Sequence, residues 1–184
     1  MLAITSLLDP KHSDLVNTII HDFEKEFGLK QVQATPQPHI TYLIAETYNL
    51  VLLKNYLKRL SYNQRPVHAY TTGIGVFPGE HPVIYIPVLR TQPLNKLHSH
   101  LYLDISKMSM EVVPFSKPKL WLPHISLAVG DTTTDMLTPI FKYLAQYSFD
   151  WEIMLDNLSI FRESITGPSF EKESSFFLAN KILS

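Results

Sequence analysis

His39 stands in Pro38-His-Ile-Thr-Tyr-Leu and His124 in Pro123-His-Ile-Ser-Leu-Ala. Of the eight histidines in the chain, only these two have a serine or threonine two places on. Side chains of a β-strand alternate between its faces. In an extended segment His39 and Thr41 therefore share one side while Ile40 and Tyr42 take the other, and His124 and Ser126 are likewise set against Ile125 and Leu127. One face can pack in a core; the other presents an imidazole beside a hydroxyl.

Two such pairs suit the cleavage of a ribose phosphodiester. That reaction needs one proton taken from the attacking oxygen and another delivered to the leaving oxygen. An imidazole with a pKa near 6.5 can do either close to neutrality. Hydroxyls can donate hydrogen bonds to the non-bridging phosphate oxygens, where charge builds up. Nothing in this scheme requires a metal or another cofactor.

The surrounding pattern predicts how the two histidines are carried. "LAITSLL" reads as a first strand. Asp9-Pro10 then opens a helix with an N-cap and a first-turn proline, followed by Leu15, Val16, Ile19, Ile20, Phe23 and Phe27 at helical spacing, and Gly28 stops it. "PHITYLIA" is a strand, and Asn49 caps a helix bearing Leu50, Leu53, Leu57 and Leu60. "AYTTGIGVF" and "VIYIPVL" read as a strand pair around "PGEHP". Pro93 opens a helix with Leu94, Leu97, Leu101 and Ile105. "WLPHISLAV" is a strand, "TTDMLTPIFKYL" a helix with Pro139 near its first turn, and "WEIMLDNLSIF" and "SSFFLANKIL" are strand-like.

Strand-helix-strand-helix-strand thus occurs up to Phe77 and again from Val83 to Phe161. Pro10 maps to Pro93, His39 to His124 and "IGVF" at Ile74 to "LSIF" at Leu158, with offsets of 83, 85 and 84. A long repeat at a near-constant step is a duplication signal. It gives the two histidines equivalent places in related lobes of one unit spanning residues 1–184.

With these elements in place, "HITY" and "HISL" resemble the paired signature of the 2H phosphoesterase superfamily, which includes 2′-5′ RNA ligase-like proteins and RNA 2′,3′-cyclic phosphodiesterases. "LLDP" before the first helix, "IGVFPG" after the first motif and the duplication resemble the 2′-5′ RNA ligase-like branch in particular. The resemblance implies an α+β, bilobal, pseudo-twofold fold with antiparallel sheets lining a central cleft and helices outside. It also implies metal-independent opening of cyclic phosphates, typically leaving a 2′-phosphate. Carried over, His39 and His124 are the acid/base pair and Thr41 and Ser126 the phosphate-binding hydroxyls, Ser126 standing where threonine is commoner. Which imidazole is base and which acid stays open. The expected partners are RNA 3′ ends or small cyclic nucleotides.

Composition bounds the alternatives. The chain has 184 residues, no cysteine and a formal net charge of −1. Disulfides, thiolate nucleophiles and Cys-ligated zinc are excluded, and a broad basic face for duplex binding is disfavoured. No apolar run is long enough to span a membrane, and the first residues read as a strand rather than a secretory signal. A cytoplasmic monomer is expected. His98 and His100 lie two apart on a predicted helix and do not share a face, so packing or solvation is expected rather than a metal pair. Surface or turn placement is the expectation for His12, His21, His68 and His81. Trp121 is expected in the core rather than stacked on a base. Phe77 and Tyr85 are open between those two roles, and Lys117 and Lys119 are expected in a solvated loop. The competing functional readings are a nucleotide- or RNA-binding module without turnover, and 2′-5′ RNA ligation, although no nucleotidyl-transfer lysine motif is present to drive joining with ATP.

Overall fold

The computed structural model describes residues 1–164 and 169–179. Ten strands and four α-helices follow in the order β1 (Leu2–Leu7), α1 (Pro10–Phe27), β2 (His39–Thr47), α2 (Leu50–Asn63), β3 (Val67–Tyr70), β4 (Gly75–Phe77), β5 (Val83–Pro87), α3 (Gln92–Ser106), β6 (Ser109–Val112), β7 (His124–Ala128), α4 (Leu137–Leu144), β8 (Glu152–Leu155), β9 (Asn157–Glu163) and β10 (Phe170–Phe177). The fold is mixed α and β, with antiparallel strand pairing throughout.

Capping chemistry sets the start of α1 and α2 and the end of α1. Asp9 accepts a hydrogen bond from the His12 amide at 3.0 Å and Asn49 from the Leu52 amide at 3.1 Å, satisfying amides that a first helical turn leaves unpaired. Gly28 ends α1 in the left-handed region, at φ 73°. Along α3, Leu94, Leu97, Leu101 and Ile105 are all buried, as their spacing predicts.

Five strands form one sheet in the order β10-β9-β1-β2-β6, three form a second in the order β4-β5-β7, and β3 pairs with β8. The duplication is visible in the register. Thr5 of β1 lies opposite Thr41 on one side and Ser159 on the other; Tyr85 of β5 lies opposite Ser126 and Gly75. So β1, β2 and β9 correspond to β5, β7 and β4. One strand of each half has crossed into the other half's sheet: β4 pairs with β5 at a sheet edge, and β9 pairs with β1, lying between it and β10. The two crossing chains meet at the β3–β8 pair, Val67 opposite Leu155 and Ala69 opposite Ile153.

Three expectations change. "AYTTGIGVF" is not one strand: it breaks between Tyr70 and Gly75, with Gly73 at φ 64°, because β3 and β4 pair with different partners. "WEIMLDNLSIF" divides at Asp156 for the same reason. His12 is not a surface residue. It is buried, its Nδ1 is 2.7 Å from the Asp9 carboxylate, and its ring packs 5.4 Å from Trp151. The carboxylate that caps α1 also satisfies this imidazole. Part of the predicted "SSFFLANKIL" strand, from residue 180 on, lies outside the described residues.

One apolar cluster runs through both halves, including Ile4, Val16 and Ile40 from the first and Ile84, Leu97 and Ile125 from the second. Helix α3 packs on β2 and α1 on β7, so each motif strand is supported by the other half.

Candidate active site

The two motif strands show the predicted alternation. Ile40, Tyr42, Ile125 and Leu127 are fully buried, whereas His39, Thr41, His124 and Ser126 are partly exposed. β2 and β7 contact each other, although they belong to different sheets.

The imidazoles are held in the same way. His39 Nδ1 lies 2.7 Å from the Gln37 carbonyl oxygen, and His124 Nδ1 lies 2.7 Å from the Leu122 carbonyl oxygen. A carbonyl only accepts, so each Nδ1 carries its proton and Nε2 is the atom left for proton exchange. The prolines account for this repeated geometry. Residues before proline are biased to extended backbone, and here Gln37 and Leu122 present their carbonyls to the ring two places on. The proline carbonyls then tie each motif to its neighbouring strand, Pro38 accepting from the Leu8 amide at 3.2 Å and Pro123 from the Val88 amide at 3.0 Å.

Aromatic rings complete the settings. His39 packs against Phe161, with centroids 5.2 Å apart. His124 meets Phe77 and Tyr85 edge-on, both at 5.2 Å, and those two rings stack on each other at 4.1 Å. Phe77 and Phe161 are equivalent residues of the exchanged strands, so each imidazole is braced by a phenylalanine that crossed from the opposite half. Phe161 escaped the sequence reasoning, yet a signal for it existed: it closes "LSIF" as Phe77 closes "IGVF".

Burial holds both imidazoles below their ordinary pKa of 6.5. The Gln37 and Leu122 carbonyls oppose that effect, and a charge on His124 lowers His39 further. The pair is therefore electrostatically coupled: a proton on one disfavours a proton on the other.

His39 and Ser126 open onto one cavity of about 490 Å³, roofed by residues 31–38. Thus an imidazole from the first half and a hydroxyl from the second reach the same space. Thr41 is fixed from behind through its backbone carbonyl, which accepts from the Trp121 indole at 2.9 Å. Trp121 is buried and lies face to face on His98 at 3.8 Å, which makes both packing residues. His100 instead meets Asp104 at 3.2 Å on the exposed side of α3. Lys117 and Lys119 are exposed in the loop before β7. No group of three or more metal-ligating side chains occurs among the described residues. No helix among them is long and apolar enough to cross a membrane.

Residues 10–164 match the 2′-5′ RNA ligase superfamily. Among solved structures, TT0787 of Thermus thermophilus is similar at a TM-score of 0.66 and 19% identity, covering 96% of this chain and 97% of that one. E. coli LigT complexed with 3′-AMP is similar at a TM-score of 0.59 and 15% identity, covering 97% of each chain. A structure described as a phosphoesterase is similar at 0.58 and 13%, again covering 97% of each. At these identities the structural likeness establishes the shared fold. Comparison with curated proteins gives no match.

Proposed function

Because this chain belongs to the 2′-5′ RNA ligase superfamily, we propose that it is a metal-independent cyclic phosphodiesterase acting on RNA 2′,3′-cyclic phosphate ends or related nucleotides. The observation that carries this reading is the twofold repetition of one arrangement: Nδ1 tied to a carbonyl, Nε2 free, and a hydroxyl two residues on along the same face. A binding site has no need of two proton carriers oriented identically. In-line hydrolysis of a cyclic phosphate does.

In this reaction a water oxygen attacks the cyclic phosphorus. Nε2 of one imidazole, neutral at the start, takes the water proton as the new P–O bond forms. The bond from phosphorus to the ribose 3′-oxygen breaks, and the second imidazole, protonated at the start, gives that oxygen its proton. The product is a 2′-phosphomonoester with a free 3′-hydroxyl, and the two imidazoles have exchanged protonation states. Thr41 and Ser126 donate hydrogen bonds to the non-bridging oxygens as they gain charge. The nucleotide named with E. coli LigT, 3′-AMP, is a ribose phosphate of the same general kind.

The test is turnover of 2′,3′-cyclic nucleotides and cyclic-ended RNA in the presence of a chelator. His39→Ala and His124→Ala should each lower kcat by about 10²-fold or more, with the far-UV circular dichroism spectrum retained. Near-wild-type turnover in both variants would reject the assignment. Binding without turnover in the unaltered protein would favour a binding module, and joined 2′-5′ products would favour ligation.

A further inference from the structure

The chain between β5 and β7 carries an unbalanced surface. Residues 89–103 and 112–123 contain Arg90, Lys96, Lys117 and Lys119 but no aspartate or glutamate, in a chain whose formal net charge is −1. All four cations are exposed. Arg90 donates only to neutral acceptors, the Pro118 carbonyl at 2.8 Å and the Asn95 side chain at 2.9 Å. Among the described residues, Lys96, Lys117 and Lys119 have no carboxylate partner. Asp104, further along α3, is already shared by Tyr56 at 3.1 Å, His100 at 3.2 Å and Lys107 at 3.3 Å. Glu111 stands on β6 opposite Glu46, outside both stretches.

Large apolar side chains stand among these cations. In the loop before β7, Phe115 is 76% exposed and Leu120 52%, although Trp121 beside them is buried. On α3, Leu103 is 57% exposed and lines an open groove with Arg90, Lys96 and His100. The loop is well held from within. The Lys117 carbonyl accepts from the Leu120 and Trp121 amides at 2.8 and 2.9 Å, and the Ser116 carbonyl lies 3.1 Å from His98 Nε2 on α3. Its inner side is thus fixed to α3, while Phe115 and Leu120 face water.

Single exposed leucines are ordinary. Three large apolar side chains interleaved with four cations lacking counter-charges instead mark a contact surface. The cations select an anionic partner and disfavour a second copy of the same face. Single-stranded nucleic acid would call for aromatic stacking platforms, yet Phe115 is accompanied by leucines. Aliphatic side chains beside lysines match the headgroup boundary of an anionic bilayer. There the apolar tips enter the acyl region, and the ammonium groups meet lipid phosphates and carboxylates. We propose that the 113–122 loop and the exposed face of α3 form a peripheral docking surface for an anionic lipid bilayer. The contact is superficial and needs no spanning segment. It is independent of the reaction proposed for His39 and His124.

Vesicle sedimentation tests this, using phosphatidylcholine alone and phosphatidylcholine with one quarter phosphatidylserine. The unaltered protein should partition onto the anionic vesicles about tenfold or more above the neutral ones, and lose that preference as salt rises. Lys117→Glu with Lys119→Glu should weaken the partition about tenfold or more. Phe115→Ser with Leu120→Ser should do the same at low salt. Both double variants should keep the circular dichroism spectrum of the unaltered protein, since all four side chains are exposed. Equal partition onto the two kinds of vesicle, or a serine variant that binds as the unaltered protein does, would overturn the docking surface. A single-stranded RNA without a cyclic end that binds the unaltered protein, loses affinity in the glutamate variant and keeps it in the serine variant would assign the patch to nucleic acid instead. A protein that hydrolyses no cyclic phosphate yet shows the expected vesicle preference would reject the hydrolase reading and leave the docking surface standing.

Discussion

At the scale of single residues, the carbonyl-tethered imidazoles set the pH response. Both are held below 6.5 by burial, and each charge opposes the other. The working state of the proposed reaction has one imidazole protonated and one neutral. In the free protein that state is most populated between the two apparent pKa values of the pair, and both lie below 6.5. The kcat/KM profile on a cyclic nucleotide should therefore be bell-shaped with its maximum on the acid side of pH 6.5. Rates measured from pH 4 to 9 with the maximum above pH 7 would contradict this. His98 titrates against stability instead. It is fully buried against Trp121, and desolvation pushes its pKa down to about 4. Below pH 6.5 the unfolded chain protonates this histidine while the folded chain does not, so stability falls as pH drops from 6.5 towards 4 and levels off below. The loss reaches about 3 kcal/mol. Urea unfolding at pH 7.5, 6.0 and 4.5 should show a shallower pH dependence for His98→Phe than for the unaltered protein; parallel curves would remove His98 as the cause. The catalytic candidates were legible in the sequence because face alternation is local. Their tethers follow from the prolines, but only once the strands are in place. The burial of His12 was not legible, since it depends on Trp151, far along the chain.

At the scale of elements, the sequence pattern identifies helices well and strand breaks poorly. Helix caps and leucine stripes are local signals. The breaks at Tyr70–Gly75 and at Asp156 reflect different distant partners, and the sequence marks them only as a phase shift in the apolar alternation, from Val67 and Ala69 to Ile74 and Val76 and from Ile153 and Leu155 to Leu158 and Ile160. β6 had no signal to find: only Ser109 of its four residues is buried. The exchanged strands nonetheless impose a steric rule that can be tested. Gly75 of β4 lies under the Tyr85 ring, and a Cβ there would stand 2.4 Å from Tyr85 Cζ. That ring is confined by Phe77 at 4.1 Å and His124 at 5.2 Å, so it can yield only by leaving the stack. Gly75→Ala should destabilise the protein by about 1–3 kcal/mol and lower turnover by disturbing His124. Adding Tyr85→Val removes the clashing ring, so the double variant should be more stable than Gly75→Ala alone in thermal melts. A double variant that is less stable would show that the clash is not the cause.

At the scale of the whole molecule, duplication and strand exchange have one joint consequence. Two lobes of about equal size could in principle unfold independently, as separate domains do. Here neither sheet is complete without the other half: β9 must reach β1, β4 must reach β5, and the connecting chains pair as β3 and β8. The buried apolar residues form one cluster across both halves, and the long helices support each other's motif strands. Opening one lobe therefore strips a paired strand from the other and exposes part of its core. Unfolding should be a single cooperative transition despite the visible repeat. The two tryptophans report on different parts of this structure: Trp121 is buried between α3 and β2, and Trp151 packs beside His12 at the start of α1. In urea, fluorescence from Trp151→Phe and from Trp121→Phe should each coincide with the loss of circular dichroism in the same variant. Separate midpoints for fluorescence and circular dichroism within either variant would mean that the lobes unfold in turn, and that the exchanged strands do not couple them.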